Sequence, residues 1–512
     1  MNEIPHTHRE LERKFRVHAM FQLPDLAAIP GVGGVAAEPD RDMTAVYYDT
    51  ADLTLFRWKI TLRRREGGPD EGWHLKLPVT GEEGARDELQ LPLSAGEPGH
   101  VPAAISDLVT ALVRDQPLVP LATLRTVRSP QILLDEAGTP ALEVVDDVVS
   151  IMDGKQIAAR FREIEVEALS PEWGSGALIT SVCNAMLAAE AIPGTMSKAA
   201  SAVGPRASDP PDIPDPRPVH PNDPAAAALI AHLARHTRRF LLQDVRVRRD
   251  LPDSVHQMRV AARRLRSGLQ AFGSLVDKDW SKHLRRELGW IARELGGVRD
   301  TEVMIDRLDE RIEELQPDEA ELARAAVHEV LGTKIVGARA EALAALRSER
   351  YQDLLLELID AVERPRLTAK AARSCQEVLP KLVDKAWQRL ADDVAQLHVD
   401  GPAEPWHESR IMAKRARYAT EVVQPVFGKG VRPLTKALAE VTELLGDHQD
   451  AHVAQKTLVE MAAADQVNGQ AGFALGLLFR LEVEHEMRLR NRFRRLWPRV
   501  VKTKNKTTLG SQ

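Results

Sequence analysis

Glu10, Glu12 and Lys14 alternate with Leu11, Arg13 and Phe15 in residues 8–17. In a β-strand, successive side chains point to opposite faces, so two carboxylates and an ammonium share one side of a rigid element. Carboxylates are hard oxygen ligands that suit a divalent cation, and the neighbouring ammonium suits an anion. Later segments repeat the pattern: Arg63 with Arg65, His74 with Lys76, Arg86 with Glu88, and Glu163, Glu165 and Glu167 alternating with Ile164 and Val166. Charges of both signs on one face of several strands either meet solvent or line a common polar cavity. The residues alone leave both readings open.

A second constellation has helical spacing. His256, Arg259, Arg263 and Arg266 fall on one stripe, within an arc of roughly 80° at 3.6 residues per turn, with Arg264 at its edge. The same pattern recurs 151 residues on as His407, Arg410, Lys414 and Arg417, with Arg415 at the edge. Like charges on a helix face repel, so such a stripe is either solvated or gathers a polyanion. Two stripes facing one another would form a basic groove. Arginine suits phosphate there because its planar fork binds bidentately, and the histidines would add proton-dependent affinity. Leu295–Asp300 likewise matches Leu445–Asp450, where Asp300 and Asp450 are expected to cap a helix or orient an arginine of the stripe.

The elements that must position these groups follow from periodicity and turn chemistry. Residues 1–200 read as short alternating runs at 8–17, 43–49, 59–66, 73–79, 86–92, 121–127, 131–135, 141–151 and 159–168, with helices near 101–115 and 174–191. Many antiparallel strands with polar inner faces fit a closed barrel. The proline-rich stretch 204–223 is expected to be a semi-rigid linker between a first domain, 1–203, and a helical one, 224–500. The internal repeat predicts two pseudo-symmetric four-helix bundles in the second domain, followed by a disordered basic tail at 501–512.

Composition narrows the chemistry further. Residues 1–200 carry 30 acids against 19 Lys+Arg, and the remainder 45 against 50, so an acidic half precedes a mildly basic one. Aromatics are 4% of the chain, a poor supply for stacking single-stranded nucleic acid. Two cysteines, Cys183 and Cys375, supply neither a disulfide framework nor a zinc-finger spacing. With no apolar leader and no run of membrane-spanning length, the expected setting is the cytoplasm, with no membrane partner.

The first half resembles the CYTH family of triphosphate tunnel metalloenzymes. Glu10-x-Glu12-x-Lys14 is followed in order by Tyr-Asp-Thr at 48–50, Leu-Arg-Arg-Arg at 62–65, Trp-His-Leu-Lys at 73–76, Phe-Arg-Glu-Ile-Glu-Val-Glu at 161–167 and Ser197-Lys198. The second half resembles the CHAD domain, a helical module with paired His-x-x-Arg stripes. The combined resemblance implies an α+β multidomain protein, with an eight-stranded antiparallel barrel enclosing a tunnel and an all-α partner domain. It implies that Glu10, Glu12, Glu165 and Glu167 hold Mg2+ or Mn2+. Arg63, Arg65, Lys76, Arg86 and Arg125 would grip substrate, Lys14, Glu165, Glu167 and Lys198 would act in catalysis, and Glu88, Glu143, Asp147 and Glu163 would be further tunnel acids. It implies hydrolysis of inorganic triphosphate to diphosphate and phosphate, with inorganic polyphosphate on the basic helices. Thiamine triphosphate hydrolysis, ATP hydrolysis or adenylate cyclisation on the same tunnel are alternatives, as is an inactive polyphosphate-binding scaffold. The leader before Glu10 is longer than usual for the family, and Met412 and Ala416 depart from its usual helical pattern.

Overall fold

Strand β1, His6–Val17, pairs with two different partners along its length, and this closes a sheet into a ring. In this computed structural model, described for residues 6–79, 85–170, 172–174, 176–194, 196–463 and 469–507, the other ring strands are β2 Arg41–Asp49, β3 Thr61–Glu66, β4 Gly72–Pro78, β5 Ala85–Leu91, β6 Val119–Leu134, β7 Pro140–Asp153 and β8 Gln156–Ala168. Their order is β1-β5-β4-β3-β2-β6-β7-β8 and back to β1, antiparallel throughout. This is the eight-stranded antiparallel barrel. Two short strands, Gly34–Ala37 and Ile192–Pro193, add to it outside the ring.

Residues 121–127 and 131–135, read as two strands, are one. Pro130 interrupts the sequence pattern but not the strand, because it sits where the partner on one side changes from β2 to Gly34–Ala37 and no donor is needed. Alternation then sorts the faces. Phe15, Val17, Ile164 and Val166 pack outward on helix α2, Ala177–Ala188, through Val182 and Met186, which leaves the intervening acids and bases facing inward. Helix α1 is Ala103–Val113, with Ile105, Val109 and Leu112 buried. Helix α3, Lys198–Val203, packs Ala199 and Ala200 against Tyr47, Leu124 and Val149.

The two compact units divide between Asp212 and Ile213, inside the stretch read as a linker. Its first part is fixed to the barrel by Arg57 Nε to the Pro210 carbonyl at 2.7 Å and Trp58 Nε1 to Asp212 Oδ1 at 3.1 Å. Its second part is fixed to the helices by Arg238 Nη1 to the Ile213 carbonyl at 2.9 Å and Cys375 N to the Asp223 carbonyl at 2.8 Å. Prolines leave a segment its carbonyl acceptors, and these carry part of the attachment.

The second unit has ten helices among the described residues: α4 Ala225–Arg248, α5 Ser254–Ala271, α6 Lys278–Glu294, α7 Gly296–Ile312, α8 Pro317–Leu346, α9 Glu349–Glu363, α10 Cys375–Val394, α11 Ala403–Phe427, α12 Arg432–Ala462 and α13 Gly469–Asn505. The repeat pairs α4 with α10, α5 with α11, α6 and α7 with the single α12, and α8 with α13. The first copy therefore has six helices where four were expected. It breaks at Leu295, before Gly296-Gly297, and it adds α9. Glycine lowers helix propensity, and the second copy, with Gly446-Asp447, runs through. Gly268 allows α5 to lie against α4, since a Cβ there would stand 2.2 Å from His232 Nε2. Residues 501–505, expected to be disordered, extend α13, where Lys504 Nζ reaches Asp384 Oδ1 at 3.0 Å; residues 508–512 lie outside the described residues. No helix among the described residues is long and apolar enough to cross a membrane.

Candidate active site

Strand register sets the inner face residue by residue. Lys14 lies opposite Glu165, Glu12 opposite Glu167, Asp147 opposite Glu163, Arg128 opposite Asp147, Arg63 opposite Tyr47 and His74, and Lys76 opposite Glu88. All of these except Asp147 and Glu163 line a cavity of about 1560 Å³. Ser197 caps α3 by accepting from Ala200 N at 3.1 Å, which fixes Lys198 as the first residue of that helix and turns its side chain inward.

Lys198 Nζ bridges three buried carboxylates, at 2.9 Å from Asp147 Oδ2, 2.7 Å from Glu163 Oε1 and 2.7 Å from Glu165 Oε1. Lys14 Nζ reaches Glu165 at 2.7 Å and Glu12 at 3.0 Å. Arg128 forks onto Asp147, at 2.9 and 2.7 Å, and reaches Glu165 Oε2 at 2.8 Å. Around the barrel, Lys76 Nζ touches both oxygens of Glu10 at 2.6 Å, and Glu88 accepts from His74 Nδ1 at 2.7 Å. Arg65 contacts Asp70, yet burial together with Arg63 and Arg128 pulls its guanidinium down to about 9. Burial also pushes His74 down to about 3, so it is neutral and donates to Glu88. Against the burial penalty, Lys14, Lys198 and Arg128 hold the Glu165 carboxyl well below its usual range.

The structure brings together Glu10, Glu12, Lys14, Arg63, Arg65, Lys76, Glu88, Asp147, Glu163, Glu165, Glu167 and Lys198 around one cavity, apart from Asp147 and Glu163, which reach it through Lys198. Glu143 lines the cavity 3.6 Å from Arg41, and Arg86 lines it while donating to the Lys59 carbonyl at 2.7 Å. Arg125 is a correction: it lies on the outer face, 57% exposed and paired with Asp42. The inward positions of β6 are Leu124, Thr126 and Arg128, and Arg128 supplies the tunnel base that the sequence reading placed at Arg125. Counting strand partners back from the Asp135–Thr139 turn would pair Arg128 with Asp146; a bulge at Leu133/Leu134 shifts the register by one and pairs it with Asp147, which the sequence does not announce. The same register separates Asp147, fully buried, from Asp146, which pairs outside with Arg162 at 2.8 Å. Asp49 of the Tyr-Asp-Thr segment is structural: it accepts from the amides of Thr50, Leu55 and Phe56 at 2.6–2.9 Å and so shapes the turn after β2.

One group of inner carboxylates has the spacing to share a divalent cation. Asp147, Glu163 and Glu165 bring oxygens within 4.8 Å of one another, although the Lys198 ammonium already bridges them. Glu10 and Glu12 are paired with Lys76 and Lys14, and Glu167 beside them is short of positive charge. Burial and the Glu10 and Glu12 carboxylates push the Glu167 carboxyl up to about 8, with Lys76 the opposing cation. A hard cation with oxygen ligands relieves that imbalance.

In the helical unit, α5 and α11 pack against each other and bring the two stripes together. Arg259 Nη1 is held by Asp300 Oδ1 at 2.8 Å, the orienting role expected for that acid. His407 shares a hydrogen bond with Gln449 Oε1 at 2.7 Å. His256 is half-buried, with its imidazole lowered by burial and by Arg299. Arg264 pairs with Glu421 and lies 5.0 Å over the Tyr418 ring, while Arg417 reaches Glu421 at 2.8 Å and Thr442 Oγ1 at 2.9 Å. At the centre, the Nε atoms of Arg263 and Arg410 are buried with no hydrogen-bond partner. Burial and these two arginines push the Lys414 ammonium down to about 7. Arg415 faces Arg266, Arg389 and Asp393. A convergence of under-neutralised cations suits a multiply charged anion.

Comparison with known proteins agrees with this division. The CYTH domain profile matches residues 8–184 and the CHAD domain profile residues 231–459. An uncharacterised protein of Mycobacterium tuberculosis, found in two strains, is 35% identical over 520 residues, covering 95% of each chain. Among solved structures, PptA from Streptomyces chartreusis is 25% identical with a TM-score of 0.46, covering 54% of this chain and all of its own. The CHAD domain from the plant Ricinus communis is 27% identical with a TM-score of 0.46, covering 55% of this chain and 94% of its own. With an N-terminal barrel that carries the CYTH pattern and helices that carry the CHAD pattern, and a mycobacterial relative aligned over 95% of its length, this chain belongs to the proteins that join a CYTH domain to a CHAD domain.

Proposed function

We propose that the barrel hydrolyses inorganic triphosphate to diphosphate and phosphate with Mg2+ or Mn2+, and that the basic helices bind inorganic polyphosphate. The observation that carries the first part is the meeting of Lys14, Arg63, Arg65, Lys76, Arg128 and Lys198 with buried carboxylates around a single cavity. A triphosphate carries several negative charges, so a closed site must neutralise them and place a water in line with the scissile bond. The arginines and lysines hold the phosphoryl oxygens. Glu10, Glu12, Glu165 and Glu167 would hold the cation, which when bound polarises the phosphoryl group and acidifies water. Glu165 or Glu167 orients the attacking water. The water oxygen bonds to the terminal phosphorus, the bridging P–O bond breaks, diphosphate departs with the electron pair and the water proton passes to a carboxylate. The central Arg263, Arg410 and Lys414 cluster supports the second part.

Phosphate release from triphosphate, ATP and thiamine triphosphate, each with Mg2+, Mn2+ or a chelator, tests the reading. Triphosphate should be turned over fastest, and chelation should abolish turnover. Preference for either organic triphosphate would refute the substrate assignment, and absence of turnover on all three would leave an inactive scaffold.

A further inference from the structure

The internal repeat allows one side of the helical pair to be compared with the other. On one side, Arg264 of α5 meets Arg417 of α11, with Arg239 of α4 nearby, and Glu421 pairs with both Arg264 and Arg417. The related residues on the other side are Arg415, Arg266 and Arg389 of α10, which are again neighbours. The residue matching Glu421 is Gln270, four positions after Arg266 just as Glu421 is four after Arg417. An amide therefore stands where the first side has its neutralising carboxylate. This second side also gains a cation. Arg285 of α6 faces Arg266 and Arg415, and its Nε is buried with no hydrogen-bond partner. Arg266 and Arg293 both lie over Gly289, at 3.6–3.7 Å from where a Cβ would stand. Asp393 is the acid that Arg415 faces.

We propose that Arg266, Arg285, Arg389 and Arg415 form a second phosphate-chain contact, and that a polyphosphate leaves the central Arg263–Arg410–Lys414 cluster on this side. The opposite exit is disfavoured, because there Glu421 already satisfies Arg264 and Arg417 and repels an anion. The inference rests on polyphosphate as the ligand of the helical unit. Guanidinium forks match repeating phosphates, whereas a nucleic-acid strand would also call on stacking surfaces that a chain with 4% aromatics supplies poorly.

The test is binding of long-chain sodium polyphosphate to the full chain over a range of salt, for the wild type, Arg389→Glu, Gln270→Glu and Arg239→Glu. Arg389 and Arg239 are both exposed, and they are related by the repeat. Arg389→Glu and Gln270→Glu should each weaken binding about fivefold, and Arg389→Glu should flatten the log–log salt slope by about one unit, the signature of one lost phosphate contact. Arg239→Glu should stay within about twofold of the wild type. If both variants behave like Arg239→Glu, the second contact is overturned while polyphosphate binding stands. If the wild type does not bind polyphosphate, both the contact and the reading beneath it fall. Equal affinity for an oligodeoxythymidylate of matched charge, with the same response to the variants, would overturn the assignment to polyphosphate.

Discussion

Replacing Lys198 with methionine removes the ammonium that bridges Asp147, Glu163 and Glu165 at 2.7–2.9 Å. Arg128 still covers Asp147 and Glu165, and Lys14 still covers Glu165, so Glu163 is the carboxylate that loses its direct partner. Its carboxyl already lies above its ordinary value of 4.5, chiefly through burial, and without Lys198 it must rise further. Removing one partner of a buried ion pair costs about 3–5 kcal/mol. The sign is fixed by linkage. The folded state then holds a proton that the unfolded chain releases above 4.5, so the variant loses stability as pH rises through the raised value. The loss should be larger at pH 8 than at pH 5. Because a chain of two compact units departs from two-state unfolding, the readout is amide exchange of β7 and β8, which reports opening of the barrel. Mn2+ at 100 times its Kd should restore about 2.7 kcal/mol if the freed carboxylates take the ion. A loss of equal size at both pH values, or no loss at all, would refute the convergence on Lys198.

Arg128→Ala should lower kcat/KM for triphosphate about a hundredfold, whereas Arg125→Ala, on the outer face, should leave it near wild type; steady-state phosphate release checks both. Polyphosphate should draw a proton onto Lys414, which stands near 7 when free, so affinity at fixed salt should fall above pH 7 with a log slope approaching −1, and Lys414→Arg should flatten the profile in isothermal titration across pH 6.5–9. Tyr351→Phe deprives the buried Asp244 carboxylate of a hydroxyl donor at 2.7 Å and leaves Arg248 as its partner, so the helical unit should lose about 1–3 kcal/mol in chemical denaturation.

Period-two alternation was enough to show the inner face of β1 and β8, because Phe15, Val17, Ile164 and Val166 are unambiguous outward residues between the charged ones. It failed at β6. There the apolar and polar residues are mixed, Val127 is exposed, and Arg125 and Arg128 lie three positions apart on opposite faces. The register that decides between them is set by a bulge at Leu133/Leu134, which neither pattern nor a count from the following turn reveals. The helical repeat was legible from the basic stripes, since their spacing recurs intact. The break at Leu295 and the extra α9 were not, because neither has a counterpart in the second copy to reveal it. Arg285 and Arg389 escaped the sequence reading for a further reason. They come from helices outside the stripes and reach Arg266 and Arg415 only through packing.

The claim that cation and phosphate meet inside one barrel is tested most directly with Mn2+ bound to the full chain, reading 31P hyperfine coupling by electron–nuclear double resonance on addition of triphosphate. Coupling should appear in the wild type and disappear in Glu12→Gln, whose carboxylate lies opposite Glu167. Mn2+ bound without phosphorus coupling, or coupling unchanged in Glu12→Gln, would contradict the account.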